Sequence, residues 1–209
     1  MTASDSSGSE AVALRTRVAE YLQAHHTMTL ATLGAASDGA TAGLGPGPAP
    51  GVAGPPPPVA IPHAASVFYA VDDRLRLVFL SKTSSLHGEH IGGSAPVAVT
   101  VAESYDEWEK IQGVQIWGQA RLLKGAAKAG ALALYISRFP FVRDIIKRPS
   151  MAELMRGVGV YRVEPERVAF TDNLTGVFGR EVLDLRSGVA AGSPPCAGAE
   201  PVEKATRND

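Results

Sequence analysis

Six side chains able to donate a hydrogen bond to an anion fall within seven positions: Ser81, Lys82, Thr83, Ser84, Ser85 and His87. They follow directly on an apolar alternation in which Leu75, Leu77 and Phe79 alternate with Arg76 and Val78, so the donors gather where a strand ends. Hydroxyl, ammonium and imidazole donors at such a point suit a phosphate or a carboxylate. The same stretch has a purely structural reading, because Ser84 or Ser85 is also a good N-cap for a short helix running toward Ile91. Residue types alone leave both readings open.

No other cluster forms a catalytic set. Asp72 and Asp73, like Asp106, Glu107 and Glu109, fall in predicted turns without a partner that would tune an acid–base pair. His63 and His90 lack the spacing of a metal pair, so surface or capping roles are expected for them. His25 and His26 end a predicted helix pointing in different directions, where the helix dipole favours them, and no metal site is expected. Cys196, the single cysteine, lies in a Pro-Gly-Ala tail and offers neither a disulfide within the chain nor a cysteine metal cluster.

The elements that must position these groups follow from periodicity. A chain of 209 residues with 45% hydrophobic content is long enough for one well-buried domain. Its formal net charge of -1 leaves no basic footprint for nucleic acid or an acidic membrane. With no apolar run of membrane-spanning length and no signal-peptide pattern, a cytoplasmic protein is expected. Small polar residues predict disorder over 1–9, and apolar spacing predicts an amphipathic helix from Glu10 to His25. The folded domain is expected over 10–186, interrupted at 34–62 by a disordered Pro/Gly/Ala-rich insertion and followed by a disordered tail at 187–209. Strands are predicted at 27–33, 63–71, 75–80, 97–102 and 114–123. Two helices broken at Pro140 come next, over 126–146. A final strand pair is expected around Glu164-Pro165-Glu166, with a last apolar stretch at 182–185. Short connections between mostly antiparallel strands favour a small barrel over a doubly wound sheet.

This order of elements, over about Ala11 to Leu185, resembles the pyridoxamine 5'-phosphate oxidase-like flavoproteins. The shared pattern is a strand ending in a hydroxyl residue (Phe79-Leu80-Ser81), then Ser85-Leu86-His87, Ala95-Pro96 and Gly118-Gln119-Ala120. Ser137-Arg138-Phe139-Pro140 and Phe170-Thr171-Asp172-Asn173 resemble a small subgroup of that family. The resemblance implies a mainly β, α+β fold: an FMN-binding split β-barrel with an N-terminal helix and two late helices. It further implies a homodimer with FMN at its interface, and flavin contacts at Ser81, Lys82, Thr83, Ser84, Ser85, His87, Trp117 and Thr171. Trp117 alternates with Ile116 and is expected in the core or beside the flavin ring.

The departures bear on activity. Leu86 and His87 stand where the family has Arg and Lys, so one guanidinium is lost and a lysine becomes a titratable imidazole. Thr171 replaces an aromatic, and Gly179-Arg180-Glu181-Val182 has no counterpart of the substrate-recognising Arg-Leu-His-Asp segment, which argues against vitamin B6 oxidase activity. The expected function is an FMN-dependent oxidoreductase acting on an unidentified small-molecule substrate or electron acceptor. The alternative is a protein that stores or carries flavin, or haem, without turnover.

Overall fold

The computed structural model describes residues 3–35, 60–148, 155–176 and 179–186. Among them lie α1 (Ala3–Ala24), β1 (Thr27–Ala35), β2 (Ala60–Val71), β3 (Leu77–Lys82), α2 (Leu86–Ile91), β4 (Ser94–Ala102), β5 (Gln112–Leu122), α3 (Gly125–Arg138), α4 (Phe141–Lys147), β6 (Val158–Asp172) and β7 (Arg180–Asp184). A short 3-10 turn at Trp108–Lys110 precedes β5.

All strand pairings are antiparallel, in the order β3-β2-β1-β4-β5-β6-β7, and an additional β3–β6 pairing closes six of the strands into a barrel. The inward side chains alternate with outward ones, and Leu30, Phe79, Val99, Ile116, Tyr161 and Val168 form the centre of the main core. The predicted hairpin at Glu164-Pro165-Glu166 is not formed. β6 instead runs straight through as one strand, with a register shift opposite Trp117 and Gly118. Pro165 lacks an N–H for a regular ladder, and a bulge accommodates it. Gly118 makes the close approach possible, because a Cβ there would stand 2.1 Å from the Glu164 carbonyl oxygen. Past the bulge, β6 leaves β3 and pairs with β7, which splits the barrel wall.

Two helices close the barrel ends. α1 buries Leu14, Val18, Tyr21 and Leu22, and it is fixed by Tyr69 Oη donating to the Leu22 carbonyl at 2.7 Å and Tyr21 Oη to the Gln112 carbonyl at 3.0 Å. It starts at Ala3, ahead of the predicted Glu10, since no proline interrupts the residues upstream and an anchored helix propagates cheaply once nucleated. Helix structure thus covers most of the stretch expected to be disordered at 1–9. α2 covers the opposite end, near the C-terminal end of β1 and the start of β2. α3 and α4 pack outside the barrel, where Tyr135, Phe139 and Val142 cover Ala70, Val78 and Val160 in a second core.

The strands also reach further than predicted. Gly34, Ala35 and Ala60 to Pro62 belong to the β1–β2 ladder, which narrows the insertion to 36–59. That remainder, the tail beyond 186 and Cys196 lie outside the described residues. No helix among the described residues is long and apolar enough to cross a membrane.

Candidate functional site

Ser81 follows Phe79 by two positions on β3 and shares its inward face, at the barrel end beneath α2. Ser85 caps that helix: its extended backbone (φ -75°, ψ 153°) positions Oγ to accept from the Gly88 N–H at 3.2 Å. The capping role read from the sequence is therefore realised at Ser85. Its hydroxyl donates to the Lys82 carbonyl at 2.7 Å, and Ser81 Oγ lies 3.0 Å from Ser85 Oγ and 2.6 Å from His87 Nε2. One arrangement of protons satisfies all of these contacts. Ser85 spends its proton on Lys82, Ser81 donates to Ser85, and His87 Nε2–H donates to Ser81. The result is a directed chain from the imidazole to the backbone.

His87 is buried, and burial, then the neighbouring His63 and His90, hold its pKa below the ordinary histidine value. The His63 ring lies parallel to that of His87 at 5.9 Å and edge-on to His90 at 6.0 Å. His90 Nδ1 lies 3.0 Å from the buried Thr32 Oγ1, and Thr32 sits opposite His63 in the β1–β2 ladder. Gly34 makes room for this ring, since a Cβ at that position would fall 2.1 Å from His90 Cδ2. His63 and His90, expected on the surface or as caps, are instead half-buried around His87. Spacing misses this triad because β2 and α2, well separated in the chain, bring His63 to the His87 and His90 pair. Among the described residues no group of histidines, cysteines and carboxylates has the geometry to hold a metal ion.

Tyr161, stacked on Phe79 at 5.0 Å, is fully buried, and its hydroxyl has no hydrogen-bond partner among the described residues. Its ring overlies Gly159, the residue paired with Ser81. Two hydroxyls and three imidazoles make a donor set that fits an oxyanion.

The remaining predicted residues lie elsewhere. Lys82 and Ser84 are exposed, Lys82 on the strand face opposite Ser81, and Thr83 is tied by its hydroxyl to the Gly157 carbonyl at 3.2 Å. Trp117 is not core: 38% exposed, it lies on the outer barrel face, with the Arg167 and Arg180 guanidiniums 5.2 and 5.7 Å from its ring centre. Its strand companions on that face are Gln115, Gln119 and Arg121, a polar pattern that marks the outward side. A groove of about 310 Å³ runs beside it, floored by Thr29, Ala31, Ala98 and Thr100. Thr171 occupies the same outer face of β6, opposite Gly113 and Arg180.

Ser137-Arg138-Phe139-Pro140 and Phe170-Thr171-Asp172-Asn173 both make structural contacts. Arg138 donates to the carbonyls of Gln23 and His25, and Phe139 is buried between Tyr135 and Phe68. Asp172 is buried and accepts from Gln112 Nε2 at 2.9 Å, and Asn173 Nδ2 donates to the Trp108 carbonyl at 2.7 Å.

The closed sheet with its diverging β6 defines a split β-barrel, and solved structures share this fold. A haem binding protein from Mycobacterium smegmatis superposes with a TM-score of 0.53 at 16% identity, over 79% of this chain and 57% of that one. The conserved hypothetical protein Rv2991 from Mycobacterium tuberculosis gives 0.52 at 19% identity, over 88% and 93%. Campylobacter jejuni ChuZ gives 0.56 at 10% identity, over 90% and 67%. No family model matches the sequence. Curated relatives are nearer: a UPF0306 protein of Klebsiella pneumoniae (strain ATCC 700721 / MGH 78578) is 33% identical over 119 residues, 56% of this chain and 73% of the relative. The UPF0306 protein YhbP of Salmonella newport is 32% identical over 123 residues, 58% and 76%. The chain belongs to the UPF0306 family.

Proposed function

We propose that this protein is an FMN-binding flavoprotein of the pyridoxamine 5'-phosphate oxidase-like group and acts as a cytoplasmic oxidoreductase on a small molecule. The observation that carries this reading is the convergence of Ser81, Ser85 and His87 with His63 and His90 at one barrel end. Ser81, Ser85 and His87 hold the phosphate, with Thr83, Ser84 and Lys82 at its rim. Bound FMN supplies the electron transfer, and the chain orients it and excludes water. A second copy covers the outer face, so that the ring lies along the groove near Trp117 and Thr171.

The purified chain should quench FMN fluorescence with saturation, and quenching should weaken in Ser81→Ala and His87→Ala. Absence of quenching removes the reading. Turnover is tested separately by photoreducing bound flavin without oxygen and following reoxidation by oxygen, quinones and nitro compounds. Reoxidation no faster than that of free flavin makes the protein a carrier.

A haem-binding reading has its own support in the three clustered imidazoles, a ligand type for haem iron, and in the likeness to the M. smegmatis haem binding protein. Titration with haemin separates the two. A saturable Soret shift lost in His63→Ala or His90→Ala, with no FMN quenching, favours haem.

A further inference from the structure

We propose a second anion site at the α1 end of the barrel, built from Arg15, Arg74 and Arg76 and suited to a multiply charged phosphoryl group. A cavity of about 460 Å³ opens there between α1, the β2–β3 turn and the β6 bulge, lined by these arginines with Glu164, Pro165 and Leu185. It is remote from the histidines: from His63 to Val71, just before the turn, β2 extends about 26 Å.

The turn that carries two of the arginines is held rigidly. Asp72 Oδ1 accepts from the backbone N–H groups of Arg74 and Arg76, each at 2.9 Å, and Asp72 Oδ2 accepts from Arg76 Nε at 2.6 Å. Leu75 between them has φ +61°, the sole non-glycine residue with positive φ among the described residues. A bulky side chain seldom adopts that conformation. Here it sends Leu75 fully into the core and leaves the arginines on either side to line the cavity. Arg15 is anchored from α1 by donating to the Asp73 carbonyl at 3.0 Å.

Charge is left over for a ligand. Glu164 is already engaged by Arg162 at 2.5 Å, with Arg121 at 3.6 Å. Three guanidiniums then stand against two turn carboxylates, Asp72 and Asp73. The Arg74 guanidinium has no partner among the described residues, and the Nη groups of Arg76 remain free of Asp72. One carboxylate presents too few oxygens for three guanidiniums, whereas a phosphoryl group presents three and carries up to two charges. The cavity has room for more than one such group, which favours an oligophosphate or a phosphorylated metabolite over orthophosphate.

Isothermal titration of the full chain with tripolyphosphate, orthophosphate, ATP and adenosine tests this. Saturable binding of tripolyphosphate, tighter than that of orthophosphate, is expected. It should weaken about tenfold in Arg74→Ala and in Arg15→Ala, and stay unchanged in Lys128→Ala, which removes an equal charge from the exposed face of α3. Equal affinities for ATP and tripolyphosphate identify a free oligophosphate as the ligand class; much tighter ATP identifies a nucleotide. Arg74 is exposed, so its loss leaves the fold intact, as circular dichroism should verify. The proposal is overturned by no saturable binding to the wild-type chain, by adenosine binding as tightly as ATP, or by equal losses in Lys128→Ala and Arg74→Ala.

Discussion

Replacing Gly34 by alanine isolates the packing that holds the histidine cluster together. The new methyl group would lie 2.1 Å from His90 Cδ2 and 2.2 Å from Nε2, well inside contact distance. Gly34 is paired with Ile61, one position short of the end of the β1–β2 ladder, and that pairing holds its backbone, so the imidazole is expected to swing away. That breaks its 3.0 Å contact with Thr32 Oγ1, which is buried and loses its partner. Stranding a buried hydroxyl costs about 1–3 kcal/mol. An alanine in a strand regains some of this, because Gly→Ala restricts the unfolded chain by about 0.4–1 kcal/mol. The expected net loss is about 1–2 kcal/mol, read as a lower urea midpoint with unchanged slope. The discriminating measurement is a double-mutant cycle with His90→Ala. With the ring gone, the three atoms nearest the methyl group are removed, and Gly34→Ala should become neutral or stabilising, a coupling of about 1–3 kcal/mol. An equal penalty in both backgrounds would refute the argument that Gly34 serves the His90 ring.

Further measurements address other parts of the chain. His87 has a depressed pKa in the fold, so the folded protein binds fewer protons than the unfolded chain; stability is full above the unfolded pKa of about 6.5 and is lost as pH falls through the folded value. His87→Gln should remove this acid-side slope in urea titrations between pH 7.5 and 5. FMN phosphate favours the charged imidazole and reverses the shift, so affinity should fall as pH rises above neutrality, and riboflavin should show no such limb. Tyr161→Phe should stabilise the free protein by about 1 kcal/mol if the buried hydroxyl is an orphan; a loss of similar size would place water or a ligand on it. Phe139→Ala should cost about 3–5 kcal/mol by emptying the second core, visible as a large drop in Tm. Replacing 36–59 with Asn-Gly while keeping the ladder residues should leave the fold and FMN quenching nearly intact, with loop closure changing by about 1–2 kcal/mol.

How far these features could be read in advance depended on how local their causes are. Alternation exposed β1, β2, β4 and β5, because a half-buried strand writes its two faces directly into the chain. The break at Pro140 was equally plain, the ring denying a helical hydrogen bond. β6 misled because Glu164-Pro165-Glu166 has turn composition, while the cause of its continuity, the missing side chain of Gly118, lies on another strand. The Ser81–Ser85–His87 node was legible since all three residues sit in one short stretch. His63 was not, being joined to His87 only through strand register and the placement of α2. Trp117 carried a readable sign in its polar companions along β5, outweighed by the general habit of tryptophan to be buried.

The directed chain from His87 through Ser81 and Ser85 to the Lys82 carbonyl means that, on the proposed function, the free protein carries an internal rival for the phosphate. Every hydroxyl proton in it is already spoken for at intramolecular, and therefore very high, effective concentration. An arriving oxyanion that recruits Ser85 also removes the cap of a six-residue helix too short to persist unaided. Occupancy and the order of α2 are thus joined: a group that reproduces the cap holds the helix, and one that does not lets it fray. Protection of the α2 amides against exchange should report which kind of ligand has entered, even where affinities are equal.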